Sequence, residues 1–292
     1  MNWIKQLNEA IEYIDNNLDK EISYDTISKI AGCSIYNFQR MFSYIAGKPL
    51  SEYIRCRKLT LAAFDIINGR GRIIDIALKY GYESQDSFAR AFRTFHGVLP
   101  SAIKKEVVNL KSCPKLSFQI TIRGAETMDY KIEKIPSFSV IGVSNKMLTE
   151  ESFKLVPQIW EKAWKDGIMD TFCKVYPEYN YRPSGFLGIA DCGDYGKAKE
   201  MNYILGITNY VYGLGNEKGV VPEGMQEFTY QEATWVIINA DGKLPEAVQN
   251  VYKKFYSEWL PSSGYNLEDL PVIECYPDEN HQEVWIAVKK DK

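Results

Sequence analysis

Two short polar clusters in the first third of the chain, Tyr36, Asn37, Gln39 and Arg40, then Gln85, Asp86, Ser87 and Arg90, combine amide, hydroxyl, carboxylate and guanidinium groups. Gathered on one helix face near its N-terminus, such groups read base edges in the major groove of a duplex. A third cluster near the other end sets Glu274 beside Tyr276 and Glu283 beside Trp285. A carboxylate among large aromatics is costly to desolvate unless a cation compensates it, through charge and through ring faces. Histidines number only two (His96, His281) and the six cysteines form no C-x-x-C pair, so zinc chemistry and histidine triads have little to work with. No metal and no cofactor is expected.

Helices must present the first two clusters. At an offset of 50 residues, Phe38, Arg40, Phe42, Gly47 and Ser51 meet Phe88, Arg90, Phe92, Gly97 and Ser101, which marks a duplicated unit. Each unit has a short helix (24–31; 73–80) closed by a glycine, Gly32 or Gly81, suited to a left-handed stop. Ser34 or Ser84 then caps a second helix. That helix turns Phe38, Met41, Phe42 and Ile45, or Phe88, Ala91, Phe92 and Phe95, inward as one stripe and leaves the polar cluster on the opposite face. Residues 51–69 read as a long helix joining the units. Arg55, Arg57, Lys58, Arg70, Arg72, Arg93, Lys104 and Lys105 offer cations to phosphate.

Charge follows the same division. Residues 40–105 hold 12 Lys/Arg against 5 Asp/Glu, whereas residues beyond 110 hold 20 against 26. A polyanion therefore attracts the first block and repels the remainder. The length of 292 residues suits two domains. The chain opens on an amphipathic helix (Trp3, Ile4, Leu7, Ile11, Ile14, Leu18) rather than a signal peptide, and no apolar run approaches a membrane span. A reduced, cytoplasmic protein away from membranes is expected.

From Met128 the pattern becomes β-α-β-β and then repeats, an α+β arrangement with both helices on one side of a mixed sheet. Residues 107–126, with Pro114, read as a linker, with a strand docking on one neighbour. Alternation along 283–288 puts Glu283, Trp285 and Ala287 on one side and Val284, Ile286 and Val288 on the other, while Glu274 and Tyr276 share a side. The acids are expected opposite the helices, in a cleft lined by Trp160, Trp164, Phe186, Tyr203, Tyr210 and Trp235. The insertion 170–184 is placed to reshape that cleft.

These motifs carry two resemblances. The stretch IIDIALKYGYESQDSFARAFRTFHGVLPSAIKK (73–105), with FQRMFSYIAGKPLSEYIRCRKLTLA before it, resembles the DNA-binding domain of the AraC/XylS family of transcription regulators over about residues 5–106. The resemblance implies two helix-turn-helix units entering successive major-groove segments roughly 34 Å apart. Its base-reading positions fall on Tyr36, Gln39, Arg40, Gln85, Asp86, Ser87 and Arg90. Asn37 joins them by its place on the helix face, and Arg55 by its charge.

VIGV, PQIWEKAW, LGIADCG, YILGI, GKLPEAV and IECYP…EVWIAV, over about 127–290, resemble the GyrI-like effector-binding domains also seen in Rob-type AraC regulators. That implies a bulky hydrophobic, often cationic ligand in a cleft between the repeats, above an acidic floor. The acidic role falls on Glu283, with Trp160, Tyr276 and Trp235 as walls and Trp285 and Glu274 beside them.

The expectation is thus a two-domain chain: an all-α double helix-turn-helix domain (1–106), a linker (107–126) and an α+β domain of duplicated β-α-β-β units (127–292). It is expected to regulate transcription in response to a ligand, as drug-sensing members do, and not to be an enzyme. Its partners would be double-stranded DNA, a small-molecule effector and, where it activates, RNA polymerase. The alternative is hydrolase chemistry in the second domain, with Glu283 as general base beside Tyr276.

Overall fold

The computed structural model describes residues 3–103, 108–119, 128–175, 182–191, 200–212, 218–278 and 281–290. Contacts group the chain into two compact units, residues 2–32 with 46–120, and residues 33–45 with 121–292. The first six helices are α1 (Trp3–Asn16), α2 (Tyr24–Ala31), α3 (Ile35–Ala46), α4 (Leu50–Ile67), α5 (Ile73–Lys79) and α6 (Gln85–His96). All but α3 belong to the first unit.

Helix ends fall where local chemistry puts them. The Ser84 hydroxyl accepts the Ser87 amide at 3.1 Å to open α6, and Gly97 closes it at φ 84°. The helical core joins Leu59, Ala62 and Ile66 of α4 to Ile76, Tyr80, Phe88 and Phe92. A buried ion pair fastens α1 to α4. Arg57 Nε donates to Asp15 at 2.6 Å, with the two side chains 13% and 4% exposed, and Tyr53 Oη donates to the same carboxylate at 2.7 Å.

Residues 108–119 run extended and docked on this unit. Phe118 exchanges two hydrogen bonds with Asn8 (2.8 and 2.9 Å), and the Leu116 and Cys113 amides donate to Tyr53 and Thr60. Arg57 Nη1 donates to the Cys113 carbonyl at 2.7 Å, so this arginine holds the fold together and is not a spare phosphate contact. Arg70 and Arg72 are paired with Asp65 and Asp75, while Arg55 and Arg93 are exposed. Lys104 and Lys105, and the linker past 119, lie outside the described residues.

The second unit is built on β1 (Tyr130–Ile135), β2 (Phe138–Leu148), α7 (Ser152–Lys165), α8 (Ile168–Val175), β3 (Phe186–Asp191), β4 (Glu200–Val211), β5 (Gln226–Tyr230), β6 (Ala233–Asn239), α9 (Glu246–Lys254), α10 (Leu260–Ser263), β7 (Tyr265–Leu267), β8 (Val272–Tyr276) and β9 (Glu283–Lys290). Its strands form one sheet in the order β1-β6-β9-β8-β3-β4-β2-β5, with β7 added on β9. The repeats are plain in this order: β2-β4-β3 answers β6-β9-β8, and the two triplets meet at the β3/β8 seam. Every pairing is antiparallel, which corrects the expectation of a mixed sheet. The outermost strands are exchanged: β1 pairs with β6 of the second repeat, and β5 pairs with β2 of the first. Two helices fill the first β-α-β-β unit's helical segment, α7 ending before Gly167, whose φ of 74° separates it from α8.

Each face of the sheet buries its own cluster. On one lie Val140, Leu187, Ile189, Ile273, Cys275, Trp235 and Trp285. On the other, Ile141, Tyr203, Leu205 and Ile207 pack with Met169, Phe172 and Tyr36, the last contributed by α3.

Candidate functional site

The cleft is assembled at the β3/β8 seam. Glu274 stands directly opposite Gly188, on the same side of β8 as Tyr276. Its carboxylate accepts the Tyr252 hydroxyl from α9 at 2.8 Å and the Tyr276 hydroxyl at 3.0 Å. Trp160 of α7 meets the Tyr276 ring edge-on at 5.0 Å and donates its indole N–H to Tyr203 Oη at 3.0 Å. Burial, and then the Glu274 charge, push the phenols of Tyr276 and Tyr203 far up; burial does the same at Tyr252. All three therefore remain neutral. The result is one carboxylate ringed by aromatic faces, a geometry that takes a cation.

Glycine makes the floor possible. A Cβ at Gly188 would press on the Tyr203 hydroxyl and come within 3.4 Å of the Trp160 ring. Gly188→Ala is expected to break the Trp160–Tyr203 bond, shifting tryptophan emission and lowering stability by about 1–3 kcal/mol.

The other predicted acid is elsewhere. Register pairs Cys275 with Glu283 and Glu274 with Val284, so Glu283 and Trp285 face the opposite side of the sheet from Glu274. Glu283 accepts the Trp285 indole N–H at 2.8 Å and pairs with Arg182 at 3.3 Å, whose guanidinium covers Trp285 at 5.1 Å. Trp235 and Trp285 are fully buried in the apolar cluster of that face. The expectation that Glu283 floors a cleft walled by Trp235 is corrected, and so is the placing of Glu274 opposite the helices, where Glu283 alone of the two stands. Glu274, Tyr276 and Trp160 do converge, on the face that carries α7 and α9.

A cation already sits against Glu274. Arg40 of α3 places Nη2 3.8 Å from Glu274 Oε1, with its guanidinium 4.2 Å above the Tyr252 ring, and donates to Tyr36 Oη at 2.6 Å. Tyr44, one turn on, stacks on Tyr252 at 4.6 Å. Tyr36 is 1% exposed and donates to the Ala190 carbonyl at 3.4 Å. Asn37 is 2% exposed, and the Arg40 and Glu274 side chains are 11% and 16% exposed. The outward face expected for Tyr36, Asn37 and Arg40 is thus turned inward, because a carboxylate and aromatic rings cover it. This packing is imperfect: Asn37 Nδ2, Gln39 Oε1 and Arg40 Nε are buried without a hydrogen-bond partner among the described residues, each at a cost of about 1–3 kcal/mol. On α6, by contrast, Gln85, Asp86 and Arg90 are exposed and Ser87 is half-buried.

Over 95 residues the chain is 40% identical to the HTH-type transcriptional activator AarP of Providencia stuartii, covering 32% of this chain and 70% of that one. It is 41% identical over 91 residues to the regulatory protein SoxS of Salmonella typhimurium, covering 31% and 85%. Residues 27–106 match the helix-turn-helix domain family, and residues 128–289 match the GyrI-like small molecule binding domain. The chain belongs to the AraC-type regulators that carry a GyrI-like domain.

This AraC-type, GyrI-like chain is a ligand-responsive, DNA-binding transcription regulator. Among solved structures it is similar to SAV2435 bound to tetraphenylphosphonium (17% identity, TM-score 0.45, covering 56% of this chain and 94% of that one). It is also similar to the EcmrR C-terminal domain (17%, TM-score 0.36, 57% and 100%). Sequence reasoning passed over Tyr252 and Tyr44, which read as ordinary helix aromatics, and over Gly188, although an isolated glycine inside a strand is itself a signal of close approach.

Proposed function

We propose that the GyrI-like cleft binds a bulky hydrophobic organic cation at Glu274, between the rings of Tyr252, Tyr276 and Trp160. The observation that carries this reading is the Arg40 guanidinium held against Glu274 and Tyr252, a cation seated in a carboxylate-and-ring pocket. On the DNA side, Gln85, Asp86, Ser87 and Arg90 read bases, with Arg55 and Arg93 on phosphate. Tyr36, Gln39 and Arg40 form the second reading set, with Asn37 beside them. Double-stranded DNA and the small molecule are the partners, and RNA polymerase is a third where the chain activates. The chain acts in the cytoplasm and turns over no substrate. Glu283, the base of a hydrolase reading, is paired with Arg182 and separated from Tyr276 by the thickness of the sheet.

Arg90→Ala is expected to weaken operator binding by about 1–3 kcal/mol, a rise in Kd of about 5- to 150-fold, in an anisotropy titration at fixed salt. An unchanged Kd would overturn the assignment of α6 as a base reader.

A further inference from the structure

We infer that α3 is the cleft's own internal ligand: the structure assigns Arg40, through Glu274 and Tyr252, to the place of the effector cation, so that effector binding and release of the first recognition helix are one event. The inference rests on the cation reading of Glu274 and adds its regulation.

Three observations carry it. The groups that α3 would offer to base edges are the groups it spends in the cleft, since Tyr36 is buried against Ala190 and Arg40 lies between Tyr36, Tyr252 and Glu274. A helix held in this way cannot also read a groove. Next, the contact matches what an organic cation would receive, one carboxylate with the ring face of Tyr252 4.2 Å from the guanidinium carbon. Finally, the closed form strands Asn37 Nδ2, Gln39 Oε1 and Arg40 Nε without partners, which water or a duplex would satisfy. The closed form is thereby weak enough to be displaced. By linkage, a cation that takes Glu274 shifts α3 toward the free state, and DNA that captures α3 raises the cleft's affinity for the cation by the same factor.

The test uses the full-length chain, tetraphenylphosphonium as the cation, and a duplex selected from a random library with the wild-type chain in the presence of that cation. Tyr44 belongs to neither the base-reading set nor the carboxylate's hydrogen bonds, so Tyr44→Ala weakens only the closed form. It is expected to tighten tetraphenylphosphonium binding about tenfold by calorimetry, and to tighten duplex binding in the absence of the cation by a similar factor. For wild type, saturating cation is expected to lower the duplex Kd about tenfold. Glu274→Gln, close to isosteric, is the second variant: its duplex affinity without cation should equal that of cation-saturated wild type and not respond to added cation. Duplex and cation affinities equal in wild type and Tyr44→Ala, with cation binding intact, would overturn this inference alone. No cation binding even by Tyr44→Ala would overturn the cation reading of the cleft, and the inference with it.

Discussion

Glu274→Gln is expected to weaken organic-cation binding by about 10- to 100-fold in calorimetry, with Glu283→Gln changing it less than twofold. The first figure follows from the loss of a charge-assisted contact worth about 1.5–3 kcal/mol in a half-enclosed site. Glutamine keeps the volume but not the charge, and its amide N–H must face one of two phenols that now donate to a carboxylate, Tyr252 at 2.8 Å or Tyr276 at 3.0 Å. That hydroxyl must then rotate its O–H away and accept from the amide, so one of the two donations into the site is lost. Glu283 serves as control because its Oε2 is engaged by Arg182 and by the Trp285 indole on the other face of the sheet. Equal losses in both variants, or a loss confined to Glu283→Gln, would return the acidic role to β9.

The second large effect concerns stability. Asp15→Ala is expected to cost about 3–5 kcal/mol, seen as a lower denaturation midpoint of the helical unit with an unchanged denaturant slope. The loss exceeds the worth of the pair itself, because Arg57 is 13% exposed and would be left charged in a nearly dry place, with Tyr53 Oη also deprived of its acceptor. Arg57 also donates to the Cys113 carbonyl, so residues 108–119 should lose protection from hydrogen exchange in the same variant. Replacing both charges by apolar residues of similar volume, Asp15→Leu with Arg57→Met, should recover most of the stability, since no uncompensated charge remains. A double variant as unstable as Asp15→Ala would show that the hydrogen bonds, rather than the stranded charge, dominate.

Much of this fold was legible in the chain. Gly32 and Gly81 end their helices in the left-handed region, Ser84 caps α6, and the doubled β-α-β-β order survives as β2-β4-β3 and β6-β9-β8. These features are local, set by backbone sterics, capping and hydrophobic period. The cleft was half legible. Alternation put Glu274 with Tyr276 and Glu283 with Trp285, but it names two faces without saying which one meets the helices, and the register of β8 on β9 decides that. Hence Glu274, Tyr276 and Trp160 share one face, while Glu283, Trp235 and Trp285, expected beside them, share the other. The polar face of α3 was misread for a different reason: amide, hydroxyl and guanidinium groups look alike whether they await water, a duplex or a buried carboxylate. Only the tertiary partner distinguishes the three, and for Arg40 that partner lies on β8, far along the chain.

The exchanged edge strands have a consequence for how the effector domain comes into being. Because Tyr130 pairs with Ile238 and Phe138 with Tyr230, each half of the sheet is finished by a ribbon borrowed from its twin, like fingers of two clasped hands. Neither half has closed edges until nearly the whole domain has been synthesised, so assembly waits on contacts distant in sequence and proceeds slowly. The same clasp resists prying the halves apart, which leaves the seam a fixed platform: what moves above it must be side chains and a helix, not the halves themselves.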